Sequence, residues 1–256
     1  MTRTVREAVY VLAAMMGEDP TDPATLKNPL TQDQLLSALD KSSLDQVKIG
    51  IAREGFFDHL NEEKKEIMNR AIEQLKGAGA SIVDDVVIPS AKEKWSIDVL
   101  VYEFKANLNA YLANVSAQVP VRTLTDVIRF NQEDSEQRLR YGQSLLTKSD
   151  KTKGTLTEKE YLDALQFDQY HSSINGIDAA LEKDQLDVLV FPNNYGAAIP
   201  AKAGYPSITV PAGYTAEGEP VGITFTGTAF SEEKLIQIAA AFEELTKARL
   251  NPTFEF

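Results

Sequence analysis

The chain has 256 residues, 43% of them apolar, with a formal net charge of −12 and no cysteine. That apolar share is enough for a substantial core, while the acidic balance argues against nonspecific binding to nucleic acid or an anionic membrane, both of which need a basic face. The lack of cysteine excludes disulfides, thiolate nucleophiles and thiolate-held metals, and it fits a reducing, cytoplasmic compartment.

The start, MTRTVREAVYVLAAMMGEDP, is basic and then apolar, as a signal peptide would be, but its apolar run is short and opens with Glu7. A capping box fits better: Thr4 closes the first turn, Glu7 reaches back, and Val5, Ala8, Val9, Leu12 and Met16 share one face. Gly17 ends this helix, and the proline-rich EDPTDPATLKNPL reads as a linker. QVKIGIA (Gln46–Ala52) alternates with period two, as a strand does. Asn61 caps the next helix, whose buried stripe is Ile67, Met68, Ala71, Ile72 and Leu75, with Gly77 and Gly79 stopping it. ASIVDDVVIP (Ala80–Pro89) is a second strand. Strand, helix and strand within about 40 residues predict parallel pairing with a right-handed crossover.

The middle reads as helical. Ile97, Leu100, Val101, Phe104, Leu108, Tyr111 and Leu112 recur at helical spacing until Pro120 breaks the pattern. TLTDVIRFNQ and EDSEQRLRYGQSLL predict two shorter helices, and SDKTKG an exposed polar loop. Thr157 and Glu160 have capping-box spacing and open a helix expected to run to Leu181. LDVLVF (Leu186–Phe191), PSITVPA and PVGITFTG read as strands, the last two joined by a turn at Gly213–Pro220. Ser231 is expected to cap the final helix and Phe230 to staple onto Leu235, with Leu235, Ile238, Ala239, Phe242 and Leu245 facing inward. No run is long enough to cross a bilayer, and no repeat or domain boundary is evident. The element order predicts an α/β fold, a mixed β-sheet covered by helices on both faces, as a single domain over residues 1–256.

Chemistry is harder to find. The two histidines, His59 and His171, are too few for a histidine-built metal site. YHSSING invites a pairing of His171 with Ser172 or Ser173, but neighbours on a helix point apart and no G-x-S-x-G elbow surrounds them, so a polar helical turn is expected. Asp84 and Asp85 adjoin on a strand, which sends them to opposite faces where they cannot share a cation or divide acid and base roles. GAGAS (Gly77–Ser81) follows a helix and suits a C-cap rather than a phosphate cradle. Residue by residue, no self-sufficient active site emerges.

Three segments carry a resemblance: the tail, with LDVLVFPNN, AGYPSITVPAG, GEPVGITFTGTAFSEEKLIQIAAAFEELTKAR and the closing NPTF; the start, MTRTVREAVYVLAAMMGEDPTDPAT; and the middle, LTDVIRFNQEDSEQRLRYGQSLL with LTEKEYLDAL. Together they resemble the C-terminal part of the amidase signature family, whose members hydrolyse amide C–N bonds, and the middle is similar to the branch that includes peptide amidases. The family's catalytic lysine, its serine held by a cis peptide bond and its nucleophilic serine precede the matching region. Ser42–Ser43 and Ser172–Ser173 lack the flanking glycines of that motif, so no catalytic residue is carried over.

The resemblance therefore implies an amidase half that is inactive alone, with no metal or organic cofactor. By position, Phe191, Pro192, Asn193, Asn194 and the turn Ala203, Gly204, Tyr205 would wall the acyl pocket that binds a small amide or peptide; the same residue types equally suit plain turn chemistry. A sheet lacking its other half is expected to leave an edge or apolar face uncovered, hence self-association or pairing with an N-terminal amidase half. Two alternatives stand beside this reading: a non-catalytic binding or assembly module, and the pocket-forming half of a two-chain amidase.

Overall fold

A computed structural model of the chain describes residues 1–252, so Thr253 and Phe254 of the closing NPTF lie outside the described residues. Helix α1 (Val5–Met15) begins where Thr4 Oγ1 accepts the Glu7 N–H at 3.1 Å. Glu7 reaches one residue further back than expected, to the Arg3 N–H at 2.8 Å, and the buried stripe is Val5, Val9 and Ala13. Helix α2 (Gln32–Ala38) is not announced by apolar periodicity. Its signal is the Thr31-x-x-Gln34 capping box, with the Thr31 N–H on Gln34 Oε1 at 2.8 Å and the Gln34 N–H on Thr31 Oγ1 at 3.3 Å.

Strand β1 (Lys48–Ile51), helix α3 (Glu62–Gly77) and strand β2 (Ser81–Asp84) form the expected parallel pair, with Lys48 opposite Ser81 and Ile51 opposite Asp84. Asn61 Oδ1 caps α3 by accepting the Lys64 N–H at 2.9 Å, and its buried residues are those of the expected stripe. Strand β2 is shorter than its sequence suggests, because Asp85 takes φ +65° and turns the chain out of the ladder. The two adjacent aspartates are thus not successive strand residues. Asp84 pairs with Arg53 at 2.5 Å, and that bond holds its carboxyl below the ordinary carboxylate range against the opposing effect of burial.

The described residues form two compact units: residues 94–168 make one, and the chain on either side of that insertion makes the other. Within the inserted unit, helices α4 (Asp98–Ala113), α5 (Leu124–Glu133), α6 (Ser135–Arg138) and α7 (Ser144–Asp150) precede α8 (Lys159–Ser172), which runs out of it. The spacing along α4 is helical, but Leu100, Phe104 and Tyr111 are exposed while Val101 and Leu112 are buried. The inward face is partly polar: Lys105 Nζ donates to the carbonyls of Asp150 (2.6 Å) and Thr152 (2.9 Å), and Asn109 Oδ1 accepts the Leu124 N–H (2.8 Å). Arg122 closes the C-terminal end of α4 by donating to the carbonyls of Leu112, Val115 and Ser116. At the start of α8 the carboxylate of Glu158, not Glu160, accepts the N–H groups of Lys153 and Thr157.

In the other unit, a π-helical segment (Ser173–Asp178) and α9 (Ala179–Asp184) lead into β3 (Val188–Pro192), α10 (Ala198–Ala203), β4 (Ser207–Tyr214), β5 (Pro220–Thr226) and α11 (Glu232–Thr246). The sheet order is β2-β1-β3-β5-β4. Strand β3 is its hinge of polarity, parallel to β1 and antiparallel to β5. All five residues of β3 are buried, so the sheet is covered on both faces there. From α11, Leu235, Ile238, Ala239 and Phe242 are buried, with Phe242 edge-on to Phe225 at 5.9 Å. Leu245 is exposed. Phe230 takes φ +59° and is exposed rather than stapled, and the Ser231 hydroxyl donates back to the Thr228 carbonyl (2.7 Å) instead of capping the helix.

Candidate functional site

The β4–β5 hairpin sorts its side chains by alternation. Val210, Val221, Ile223 and Phe225 are buried on one face. The other carries hydroxyls that meet across the strands: Ser207 with Thr226 at 2.8 Å and Thr209 with Thr224 at 2.7 Å. Thr224 and Thr226 are buried, yet each hydroxyl is satisfied by this ladder.

The loop after β3 is tied to that hydroxyl face. Asn193, at φ +47°, turns the chain through the left-handed region that asparagine tolerates. Its N–H donates to the Gly222 carbonyl and its Oδ1 accepts the Gly222 N–H, both at 2.8 Å, while its carbonyl accepts the Thr224 hydroxyl. A Cβ at Gly222 would crowd the hairpin partner, 2.9 Å from Thr209 Cγ2, while standing at ordinary contact distance, 3.8 Å, from Asn193 Cα.

The expected pocket residues separate into two groups. Phe191 and Pro192 are buried in the core, the Phe191 ring lying edge-on to Phe56 at 4.9 Å, with Gly196 packed so close to it that any side chain at Gly196 would overlap the ring. Asn193, Asn194, Ala203, Gly204 and Tyr205 belong to a single excursion, 193–205, between β3 and β4. Asn194 is exposed, and its carbonyl accepts the Ala197 N–H at 3.0 Å. Gly204 ends α10 at φ +72°, and the Tyr205 N–H returns to the Pro200 carbonyl at 2.9 Å.

At its far end the excursion is fixed by Tyr205, whose hydroxyl donates to Asp178 Oδ2 at 2.9 Å. Burial above all, then this bond, pushes the phenol's pKa up to about 12. Asp178 closes the π-helical segment, in which Asn175 and Gly176 leave helical geometry. His171 Nδ1 lies 3.2 Å from Asn175 Nδ2 and 3.9 Å from a Glu93 carboxylate oxygen, and Ser173 Oγ donates to the Gln169 carbonyl at 2.6 Å. Ser172 is wholly buried, so the expected polar helical turn is solvated only in part. Sequence reasoning overlooked Asp178 as a partner of Tyr205; the glycine within SSING, breaking a long helical pattern, was the available signal.

The family model named Amidase matches residues 1–236. The chain belongs to the amidase family. A probable amidase of Arabidopsis thaliana is 36% identical to it over 262 residues, covering 98% of this chain and 49% of the relative. A glutamyl-tRNA(Gln) amidotransferase subunit from Microcystis aeruginosa is 25% identical, covering 95% of this chain and 54% of the relative. Among solved structures, the native peptide amidase from Stenotrophomonas maltophilia is 35% identical with a TM-score of 0.88, covering 100% of this chain and 54% of that one. An amidase family protein from Bacillus anthracis is 34% identical with a TM-score of 0.87, covering 99% of this chain and 49% of that one. The chain spans about half the length of the relatives it matches. The mixed α/β fold expected from the sequence is the fold it shares with these amidases. Among the described residues of this amidase chain, no helix is long and apolar enough to cross a membrane.

Proposed function

We propose that this chain supplies the C-terminal portion of an amide C–N bond hydrolase and is inactive alone. It contributes part of the sheet and, through the excursion at 193–205, one wall of the acyl pocket, while the catalytic lysine and two serines come from outside these 256 residues. The observation carrying this reading is the match of the whole chain to 54% of a peptide amidase at 35% identity. Beside it stands a sequence whose serine pairs, Ser42–Ser43 and Ser172–Ser173, lack flanking glycines. By the same similarity, peptide amides are the substrate class. On the exposed side of the excursion, Asn194 and the Ala203–Tyr205 turn would meet the acyl group, with Phe191, Pro192 and Asn193 supporting them from behind.

In the complete enzyme the nucleophilic serine attacks the amide carbonyl carbon, and its proton passes through the second serine to the lysine. The amine leaves carrying a proton, and water then hydrolyses the acyl-enzyme. No metal or organic cofactor enters this scheme, and the acidic, cysteine-free composition supports a cytoplasmic setting. A serine-directed fluorophosphonate probe should leave the purified chain unlabelled; covalent labelling would refute its inactivity. Co-expression with a Gly/Ser-rich N-terminal amidase half should yield a complex that hydrolyses a peptide amide, and failure to form that complex counts against the reading.

A second reading is favoured by relatives that are, by name, components of a larger enzyme: the glutamyl-tRNA(Gln) amidotransferase subunits. Here the chain works bound to a partner or to a second copy, with strands β2 and β4, the outer members of the sheet, as pairing edges. Size-exclusion chromatography with light scattering should then find the chain self-associated. A stable monomer that binds a peptide amide unaided would favour a non-catalytic binding module instead.

A further inference from the structure

Strand β4 ends the sheet and pairs with β5 alone, so alternate N–H and C=O groups along its outer edge have no strand opposite them among the described residues. The other outer strand is guarded: β2 finishes in the Arg53–Asp84 ion pair, and Asp85 then turns the chain away at φ +65°. On β4 comparable protection begins only at Pro211, which lacks an N–H and opens the register shift that ends at Gly213. Residues 207–210 are left as an open run, with Ser207 and Thr209 exposed.

Space lies along this run. A cleft of about 740 Å³ is lined by Ile208, Thr209, Val210 and Pro211 in succession. Successive strand residues point to opposite faces, so a space that touches all four lies beside the strand and not over one face. A second cleft, of about 230 Å³, adjoins it: Ala8 of α1 and Ile208 of β4 line both. Val9, Leu12, Leu235 and Ile236 make its lining largely apolar, and Glu232 is its one charged member among the described residues. Glu232 stands in the first turn of α11, where the helix N-terminus favours a negative charge. Its Oε2 is nonetheless shut off from solvent without a hydrogen-bond donor among the described residues. A carboxylate oxygen in such surroundings calls for a donor, and a cationic one makes the strongest bond.

We propose that the groove between α1 and β4 receives a strand of the N-terminal amidase half, which pairs main chain to main chain with residues 207–210 and directs one basic side chain to Glu232. This rests on the reading of the chain as the C-terminal portion of an amidase, whose relatives it matches over about half their length. An extended segment satisfies the open edge by adding a strand to it. Its alternate side chains cover Ile208 and enter the apolar cleft. An arginine or lysine among them supplies Glu232 with its donor.

Amide NMR of the chain, titrated with a short peptide of alternating valine and threonine around one arginine, tests the groove. Shifts and slowed exchange should centre on residues 207–210 and on α1. Methylating the backbone nitrogens along one edge of the peptide should weaken binding by about tenfold or more. Norleucine in place of the arginine should do the same, by about tenfold or more. In Glu232→Gln the arginine and norleucine peptides should bind alike. Lack of binding, shifts centred on β2, or equal affinity of the two peptides for the parent chain would overturn the proposal. Should Glu232→Gln not fold, the two peptides compared on the parent chain decide alone. Hydrogen exchange on the complex with the co-expressed N-terminal half identifies the source: amides of residues 207–210 should be protected and the peptide excluded. A complex that leaves those amides exchanging freely and the peptide able to bind overturns the proposal while the amidase-portion reading stands. Protection of the same amides by a dimer of the chain, unchanged by the N-terminal half, makes a second copy the occupant and overturns it too. Peptide binding with no complex at all counts against that reading, and the source proposed here falls with it.

Discussion

Truncating Phe191 to alanine discriminates sharply between a side chain that lines an open pocket and one that belongs to the interior. The ring is fully buried in the central strand, edge-on to Phe56 at 4.9 Å and crowded by Gly196. Phe→Ala at such a site costs about 3–5 kcal/mol, from lost transfer free energy and the cavity left behind. Roughly 0.5–1.5 kcal/mol of that is the aromatic pair itself. Partial collapse of the excursion onto the vacated volume sets where in the range the value falls. For a domain of this size each kcal/mol lowers Tm by about 2–4 °C, so a drop of roughly 6–20 °C is expected. Calorimetry of the purified chain measures it. Hydrogen exchange of β3 and β5 amides shows whether the loss falls in the sheet. The exposed Asn194→Ala serves as control and should stay within about 0.5 kcal/mol of the parent. A Phe191→Ala shift below about 2 °C would mean that the ring is not packed as described, and the division of the candidate pocket residues into core and surface groups would fall.

Three further outcomes are expected. Gly50→Ala places a Cβ 2.5 Å from Leu186 Cδ1 and 2.9 Å from Val86 Cγ2 in the middle of β1, so overpacking should cost about 1–3 kcal/mol; an unchanged urea midpoint would contradict the packing of β1 against these residues. The Arg53–Asp84 pair is partly exposed (32% and 49%), so Asp84→Asn should cost no more than about 1 kcal/mol at neutral pH. Because Arg53 lowers the Asp84 pKa, that contribution is present above the unfolded value near 4 and is lost as pH falls through the folded one. Variant and parent should therefore converge in strong acid, and a gap that persists there would show that the effect is not ionic. For Tyr205 the sign is reversed: the folded pKa of about 12 lies above the unfolded value near 10, so its contribution is complete below pH 10 and falls away between the two. Tyr205→Phe should flatten the alkaline stability profile. A residual slope from Tyr161, raised to about 12 as well, remains in both proteins. An identical profile in the variant would remove Tyr205 from the account.

Local rules made α3 and the β4–β5 hairpin legible in advance. Asn61 and a clean 3.6-residue stripe fix the one, and alternation on either side of a turn fixes the other, apart from a register shift between Pro211 and Gly213. Where apolar spacing and burial part company, a polar group has taken an inward position by finding a distant partner. On α4, Lys105 reaches two carbonyls and Asn109 an N–H of the following helix, and no pattern within α4 encodes either bond. The candidate site shows the same boundary. Residues of the excursion were recognisable from their turn chemistry and from the family resemblance. The bond that fixes Tyr205 joins residues 27 positions apart through a helix whose π turn the sequence marks only with Gly176. Asp85 and Phe230 depart for a different reason, since each adopts a positive φ that its residue type does not advertise.

The sheet is interrupted in sequence between β2 and β3, and that interruption sets a timetable for the growing chain. Strands β1 and β2 emerge together, but the partner on the other side of β1 begins at Val188, about a hundred residues after Asp84. At ribosomal speeds of about 5–20 residues per second, β1 waits on the order of 5–20 s with one edge bare. Ile49 and Ile51, wholly buried in the finished fold, are among the residues left waiting. The inserted helices, built from contacts close in sequence, can form during that interval, since local contacts form faster than distant ones. Nascent amidase chains of this kind are thus most prone to wrong pairing just after the first βαβ unit is made, and slowing translation within residues 94–168 would lengthen the exposure.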